Sequence, residues 1–242
     1  MVRLKDFIWL YVVYYAVILG GAQVTTPFLR TFFLMLIDIH THVSQPSFDC
    51  IFNADVSSEI SLDDAFYSVG IHPWYTDTDV ASVWTRIQQL VAHPSILALG
   101  ETGIDKLRGA SLDIQQEIFA NHIMLSEQVR KPLIIHCVKG FNELLSMHKH
   151  FHPLQPWVVH GFRNNWNIAQ QLLSAGLYLS FGERFNAQVV SSIPLDRLFV
   201  ETDESSLSIV EIIQQIADCR GMEARTLHCH VQENIKKVFF GR

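Results

Sequence analysis

The chain has 242 residues, enough for one large domain or two small ones, and its 49% hydrophobic content supports a substantial core. A formal net charge of -6 argues against a broad basic surface for gripping duplex nucleic acid, which binds by phosphate neutralisation. A nucleic-acid substrate is not excluded, because bound divalent cations add positive charge that a residue count omits. The four cysteines, Cys50, Cys137, Cys219 and Cys229, form no C-x-x-C pair and no compact framework. That argues against structural zinc and a disulfide scaffold, and it fits a reducing cytoplasm.

Residues 1–34 differ in character from the rest of the chain. Residues 7–29 carry no charge, Arg3 and Lys5 precede them, and Gly20-Gly21-Ala22 offers small residues suited to cleavage. Three readings compete: a secretory signal, a membrane anchor approaching the ~20 residues a span requires, or upstream sequence before a true start at Met35. The third fits best, because the first strand begins at Met35 with only a short linker before it. A membrane enters the account only if residues 1–34 are part of the protein. No protein partner is implied.

From Met35 apolar runs alternate with amphipathic stretches. Strands are expected at 35–39, 50–53, 66–71 and 96–100, then at 132–136, 157–160, 177–181 and 198–202. Val80, Val83, Trp84, Ile87, Leu90 and Val91 fall at helical spacing, and further helices are expected at 112–129, 141–147, near 168–173, at 209–217 and at 227–239. Eight strands mostly separated by helices imply a parallel α/β sheet closed as a TIM-like (β/α)8 barrel. No convincing helix lies between His42 and Phe66, so the barrel is expected to be reduced near its first βα unit. An open doubly wound sheet is the alternative, but no glycine-rich dinucleotide fingerprint comes after the first strand.

Polar residues gather where these strands end. Asp38, His40 and His42 share one face of the first strand by its period of two. Taken alone, they read either as half a metal site or as a polar loop. Glu101 follows the fourth strand, His136 the fifth, His160 the sixth and Asp203 the eighth. In a barrel all these ends lie on one rim. Imidazoles and carboxylates there suit divalent ions, with a carboxylate such as Glu101 able to bridge two of them. Water so activated becomes a nucleophile.

The runs Asp38-Ile39-His40-Thr41-His42, Gly70-Ile71-His72-Pro73, Gly100-Glu101-Thr102-Gly103-Ile104-Asp105, Ile135-His136-Cys137, Val159-His160-Gly161-Phe162 and Glu201-Thr202-Asp203 occur in the order seen in TatD-family metal-dependent hydrolases. The resemblance covers Met35 to the C-terminus. It implies a metal-dependent TIM barrel, commonly a deoxyribonuclease acting from the 3′ end, within the wider amidohydrolase-like group. It implies two divalent metal ions, Mg, Mn or Zn. His40 and His42 resemble ligands of one cation, Glu101 the bridging ligand, and His136 and His160 ligands of the second. Asp203 resembles the last-strand carboxylate that binds metal and orients or deprotonates water, which gives Glu101 and Asp203 the catalytic roles. His72 is expected to contact substrate or to serve as a turn residue. Asp38 is expected to bind metal, to fix a histidine tautomer or to cap a loop, Asp105 to orient neighbours or cap a loop, and Glu201 to be structural on the opposite strand face.

The chain departs from the family in two places. Where an arginine is common after the fifth-strand histidine, the run is His136-Cys137-Val138-Lys139, so Lys139 becomes the candidate phosphate contact, although it lacks a bidentate fork. Glu204-Ser205-Ser206 comes after Asp203 in place of the common serine or alanine, proline and tyrosine. Arg163 and Arg184 are further candidates for phosphate. The expected substrate is DNA, with a smaller phosphodiester or an acyl ester or amide as the alternative. A non-catalytic metal-binding or membrane-tethered protein ranks below both.

Overall fold

The computed structural model describes residues 36–42, 47, 49–62, 65–76 and 79–241. The apolar segment 1–34, and the signal, anchor and start-site readings attached to it, lie outside the described residues. Eight strands pair in chain order, all parallel, and the last closes on the first. They are β1 (Asp38–Thr41), β2 (Cys50–Asn53), β3 (Phe66–Val69), β4 (Ile96–Asp105), β5 (Leu133–Val138), β6 (Trp157–Val159), β7 (Tyr178–Phe181) and β8 (Leu198–Val200). The helices are α1 (Val80–Leu90), α2 (Leu112–Val129), α3 (Phe141–Phe151), α4 (Trp166–Ser174), α5 (Ala187–Ser192), α6 (Ile209–Arg220) and α7 (Ala224–Phe239). The expected TIM-like barrel is therefore the fold. Among the described residues no helix joins β1 to β2 or β2 to β3, so the reduction falls where the sequence places it. Nor is any described helix long and apolar enough to cross a membrane.

Helix starts are set by local chemistry. Asp79 accepts from the Ser82 amide ahead of α1, Asn165 from the Ile168 amide ahead of α4, and Ser208 and Glu211 form a capping box on α6. Each supplies an acceptor to an amide that the helix leaves unpaired. The helices bury one face against the barrel. Phe119 of α2 meets Trp157 of β6 edge to face at 5.3 Å, and Phe239 of α7 meets Phe199 of β8 at 5.7 Å. Full burial of such a side chain contributes about 1.5–3 kcal/mol.

Several elements differ from expectation. β1 is formed from Asp38, with the Ile37 amide already donating to the Asp49 carbonyl (3.0 Å), and Met35, where the strand was expected to begin, lies outside the described residues. β4 runs on to Asp105, five residues past its expected end, pairing Thr102 to Asp105 with Ile135 to Val138 of β5. The glycines that read as a strand end instead let two backbones approach: a Cβ on Gly103 (φ 141°) would stand 2.1 Å from the His136 carbonyl oxygen. Helix α5 was not expected. Its six residues are too few to show a period, and it is set by Asn186, which accepts from the Gln188 and Val189 amides.

Packing of α2 against the β3 end depends on His122, which is fully buried. Its Nδ1–H donates to the Ile118 carbonyl (2.8 Å), and Nε2 accepts from the Ile71 amide (3.1 Å). Burial pushes its pKa down from 6.5 to about 4. The unfolded chain thus takes up a proton below pH 6.5 that the folded chain refuses. The stability involved is complete above pH 6.5 and falls as pH drops toward 4, by about 2 kcal/mol at pH 5. In urea unfolding at pH 7 and pH 5, wild type is expected to lose about 2 kcal/mol more than His122→Gln. Equal losses would contradict this role for His122.

Candidate metal centre

Glu101 sits on β4 at the barrel rim, only 4% exposed. Its amide donates to Asn53 Oδ1 of β2 (2.8 Å), which also accepts from the Ser68 hydroxyl of β3 (3.2 Å). Three neighbouring strands thus fix the backbone from which the carboxylate projects.

The two carboxylate oxygens face different partners. Oε2 lies 3.3 Å from His40 Nε2 and 3.5 Å from His42 Nε2, and Asp203 Oδ1 stands 3.8 Å from each of those nitrogens. Oε1 lies 2.6 Å from His136 Nδ1, 2.7 Å from His160 Nε2 and 3.0 Å from His72 Nε2. All six residues expected around metal, His40, His42, Glu101, His136, His160 and Asp203, are brought together. His72, expected as a substrate contact or turn residue, joins them. Its Nδ1 accepts from the Trp74 amide (3.1 Å), capping the turn at Pro73–Tyr75, and this leaves Nε2 turned to Glu101.

Asp203 reaches the site by a backbone exchange. Its amide donates to the His40 carbonyl (2.9 Å) and its carbonyl accepts from the His42 amide (3.1 Å). Its φ of 53° lies in the left-handed region, which aspartate tolerates better than most residues. The exchange extends the β1–β8 closure past Val200 and sets the carboxylate beside the histidine pair.

A second layer of carboxylates backs the imidazoles. Asp105 Oδ2 lies 3.3 Å from His136 Nε2 and accepts the Trp74 indole N–H at 2.6 Å. Glu201 Oε1 lies 3.3 Å from His160 Nδ1 and accepts the Gly161 amide at 2.6 Å. Strand alternation places Glu201 on the opposite face, but β8 ends at Val200, and beyond it the alternation no longer governs direction. Asp38 takes the loop-tying role: its oxygens accept from the Thr202 hydroxyl (2.6 Å), the Thr202 amide (3.0 Å) and the His40 amide (3.3 Å). Burial pushes its carboxyl up to about 7 against those bonds. Lys139 comes after β5 with φ 54° and an exposed side chain. Arg163 and Arg184 are also exposed.

The charges are strongly coupled. Burial opposes ionisation of Glu101, but the field of His160 and bonds from His136 and His160 outweigh it and hold the carboxyl well below its usual range. Burial likewise opposes a charge on His160, yet Glu101 and Glu201 raise its pKa well above 6.5. Divalent cations fit this donor set. His40 is fully buried with both ring nitrogens lacking an aligned hydrogen-bond partner, an arrangement that costs free energy unless a partner is supplied. His40, His42 and Asp203, and separately His72, Glu101 and His136, each bring three donor atoms within 4.8 Å of one another. Neutral imidazole with carboxylate is a donor chemistry for zinc and manganese.

The family described as TatD related DNase matches residues 52–240. The chain belongs to that family. It is 32% identical over 194 residues to a metal-dependent hydrolase of Buchnera aphidicola, covering 71% of this chain and 73% of the relative. It is 26% identical over 205 residues to a protein of Musicola paradisiaca named 3′-5′ ssDNA/RNA exonuclease TatD, covering 71% and 75%. Among solved structures, the TatD homologue YJJV of Escherichia coli superposes with a TM-score of 0.73 at 18% identity, covering 86% of this chain and 99% of that one. A TatD-family chain with this rim is a metal-dependent hydrolase on a TIM barrel.

Asn53, Trp74 and Thr202 were missed as site-forming residues. Each acts through a contact between strands or loops distant in sequence, which no local pattern signals. Residues that orient metal-binding imidazoles commonly change metal affinity by about 10–100-fold when removed. Glu201→Leu is expected to weaken Mn²⁺ or Zn²⁺ binding within that range by titration calorimetry. Unchanged affinity would contradict its orienting of His160.

Proposed function

We propose that this TatD-family chain hydrolyses phosphodiester bonds at the ends of single-stranded DNA, using two divalent cations, Mg²⁺, Mn²⁺ or Zn²⁺. The observation that carries the reading is the division of Glu101: one oxygen faces His40 and His42, the other His72, His136 and His160. His40, His42 and Asp203 would hold one cation, and His136 and His160 the other, with Glu101 between. When bound, such cations polarise a phosphoryl oxygen, activate water and neutralise charge on the leaving oxygen.

The chain's own residues do the rest. Asp203 is 26% exposed and His42 33%, so this pair stands at the mouth while Glu101 lies beneath. Asp203 would orient the attacking water and take its proton on the carboxylate. Asp105 and Glu201 hold His136 and His160 in one ring orientation, so the site is formed before substrate arrives. The net charge of -6 favours a substrate recognised through the cations rather than through a basic surface, which suits a strand end better than a duplex. The exonuclease name of the Musicola relative supports the same substrate class.

The test is incubation of the full-length chain with labelled single-stranded DNA and with an acyl-ester panel, each with Mg²⁺, Mn²⁺, Zn²⁺ or chelator. DNA is expected to shorten only with cation, and Glu101→Ala is expected to lower that rate by roughly a thousandfold or more. Cation-dependent ester hydrolysis without DNA shortening would overturn the nuclease reading and favour an acyl hydrolase. DNA shortening unchanged in Glu101→Ala would overturn the site.

A further inference from the structure

We propose that Tyr75, Trp74 and Arg108 form a subsite for one unpaired nucleotide beside the His72–His136 side of the metal centre, with Tyr75 stacking on the base and Arg108 taking the phosphate. The inference rests on the nucleic-acid reading above and specifies how that substrate would be gripped.

The position is set by ring contacts. Tyr75 lies three residues after His72, and their ring centroids are 5.8 Å apart. Trp74 lies 4.8 Å from His72 and 5.8 Å from His136 by the same measure. An occupant of this corner is therefore next to the cluster of donors. Tyr75 is 60% exposed, and Leu107 on the facing loop is 61% exposed.

Arg108 is held in a form suited to phosphate. Its guanidinium lies 3.6 Å from the centroid of the Trp74 ring, a cation–π stack. Trp74 is itself anchored by its N–H to Asp105 Oδ2. Stacking uses one face of the guanidinium and leaves the N–H edge for bidentate bonding. Among the described residues no carboxylate pairs with Arg108, whereas neighbouring Lys106 is paired with Glu143. Among the described residues, the loop therefore offers one cation without a carboxylate partner.

The two loops are tied to each other, so the corner is rigid. The Ala110 amide donates to Thr76 Oγ1 (3.0 Å), and Thr76 Oγ1–H donates to the Pro73 carbonyl (2.9 Å). Gln115 Nε2 donates to the carbonyls of Asp105, Arg108 and Ala110, each at 2.9 Å. Gly109 has φ 83°, and a Cβ there would stand 1.9 Å from the Pro73 carbonyl oxygen. A paired base hides its faces in the stack, so a stacking corner selects unpaired ends.

The test is binding with Ca²⁺ in place of Mg²⁺, Mn²⁺ or Zn²⁺, with the length of the oligomer checked afterwards to exclude hydrolysis. Fluorescently labelled oligo-dT is compared by anisotropy with oligomers carrying an abasic residue at the 3′ or the 5′ end. Wild type is expected to bind a base-bearing end about tenfold tighter than the matching abasic end. Tyr75→Ala and Arg108→Ala are expected to lose most of that preference and Tyr75→Phe to keep it, with Mn²⁺ titration confirming that each variant retains its metal centre. No preference in wild type, or full preference in Tyr75→Ala, would overturn the subsite. Selective binding without cleavage under any cation would overturn the nuclease reading and leave the subsite. Cleavage without base discrimination would overturn the subsite alone.

Discussion

A buried carboxylate surrounded by imidazoles is the constraint on which this molecule turns. Glu101 is nearly sealed from water, and five histidines lie within 3.5 Å of its oxygens. An isolated carboxylate would be neutral in such a place. Here the surrounding rings keep it ionised, and it in turn holds them together. Its partners come from β1 and the residue after it, the loop after β3, β5 and the end of β6, and Asp203 after β8 stands beside two of them. Only closure of the sheet brings residues as distant as His40 and Asp203 to one rim. The backbone exchange between them is both the last rung of that closure and the first step of the site.

The next layer decides which nitrogen of three of these rings faces inward. Asp105 backs His136, Glu201 backs His160, and the Trp74 amide takes Nδ1 of His72. Each partner leaves the other ring nitrogen turned toward Glu101. The same groups also organise the surface: Asp105 holds the Trp74 indole, on which Arg108 rests, and Gln115 gathers the loop carbonyls beneath. Ligand orientation and the shape of the rim are thus one network, so changes at the rim should reach the centre through Asp105.

The barrel and the six clustered residues were legible because both obey short-range rules. Apolar runs mark strands, and polar groups at their ends mark the rim. Membership of the TatD family was legible in six ordered motifs. What escaped depends on tertiary contact. Strand alternation misplaces Glu201 because β8 ends one residue before it. Gly100 and Gly103 read as a strand terminus, although β4 continues through them because β5 comes so close. His72 reads as a turn or substrate residue, and it caps a turn with one nitrogen while facing Glu101 with the other. The Trp74–Arg108 stack joins two loops that no periodicity relates.

We propose that Glu101 would stand between two cations, one at each carboxylate oxygen. Anomalous diffraction from crystals of the full-length chain soaked in Mn²⁺ tests it most directly. Two peaks are expected to flank Glu101, one beside His40 and His42 and the other beside His136 and His160. A single peak, or manganese bound away from Glu101, would contradict it.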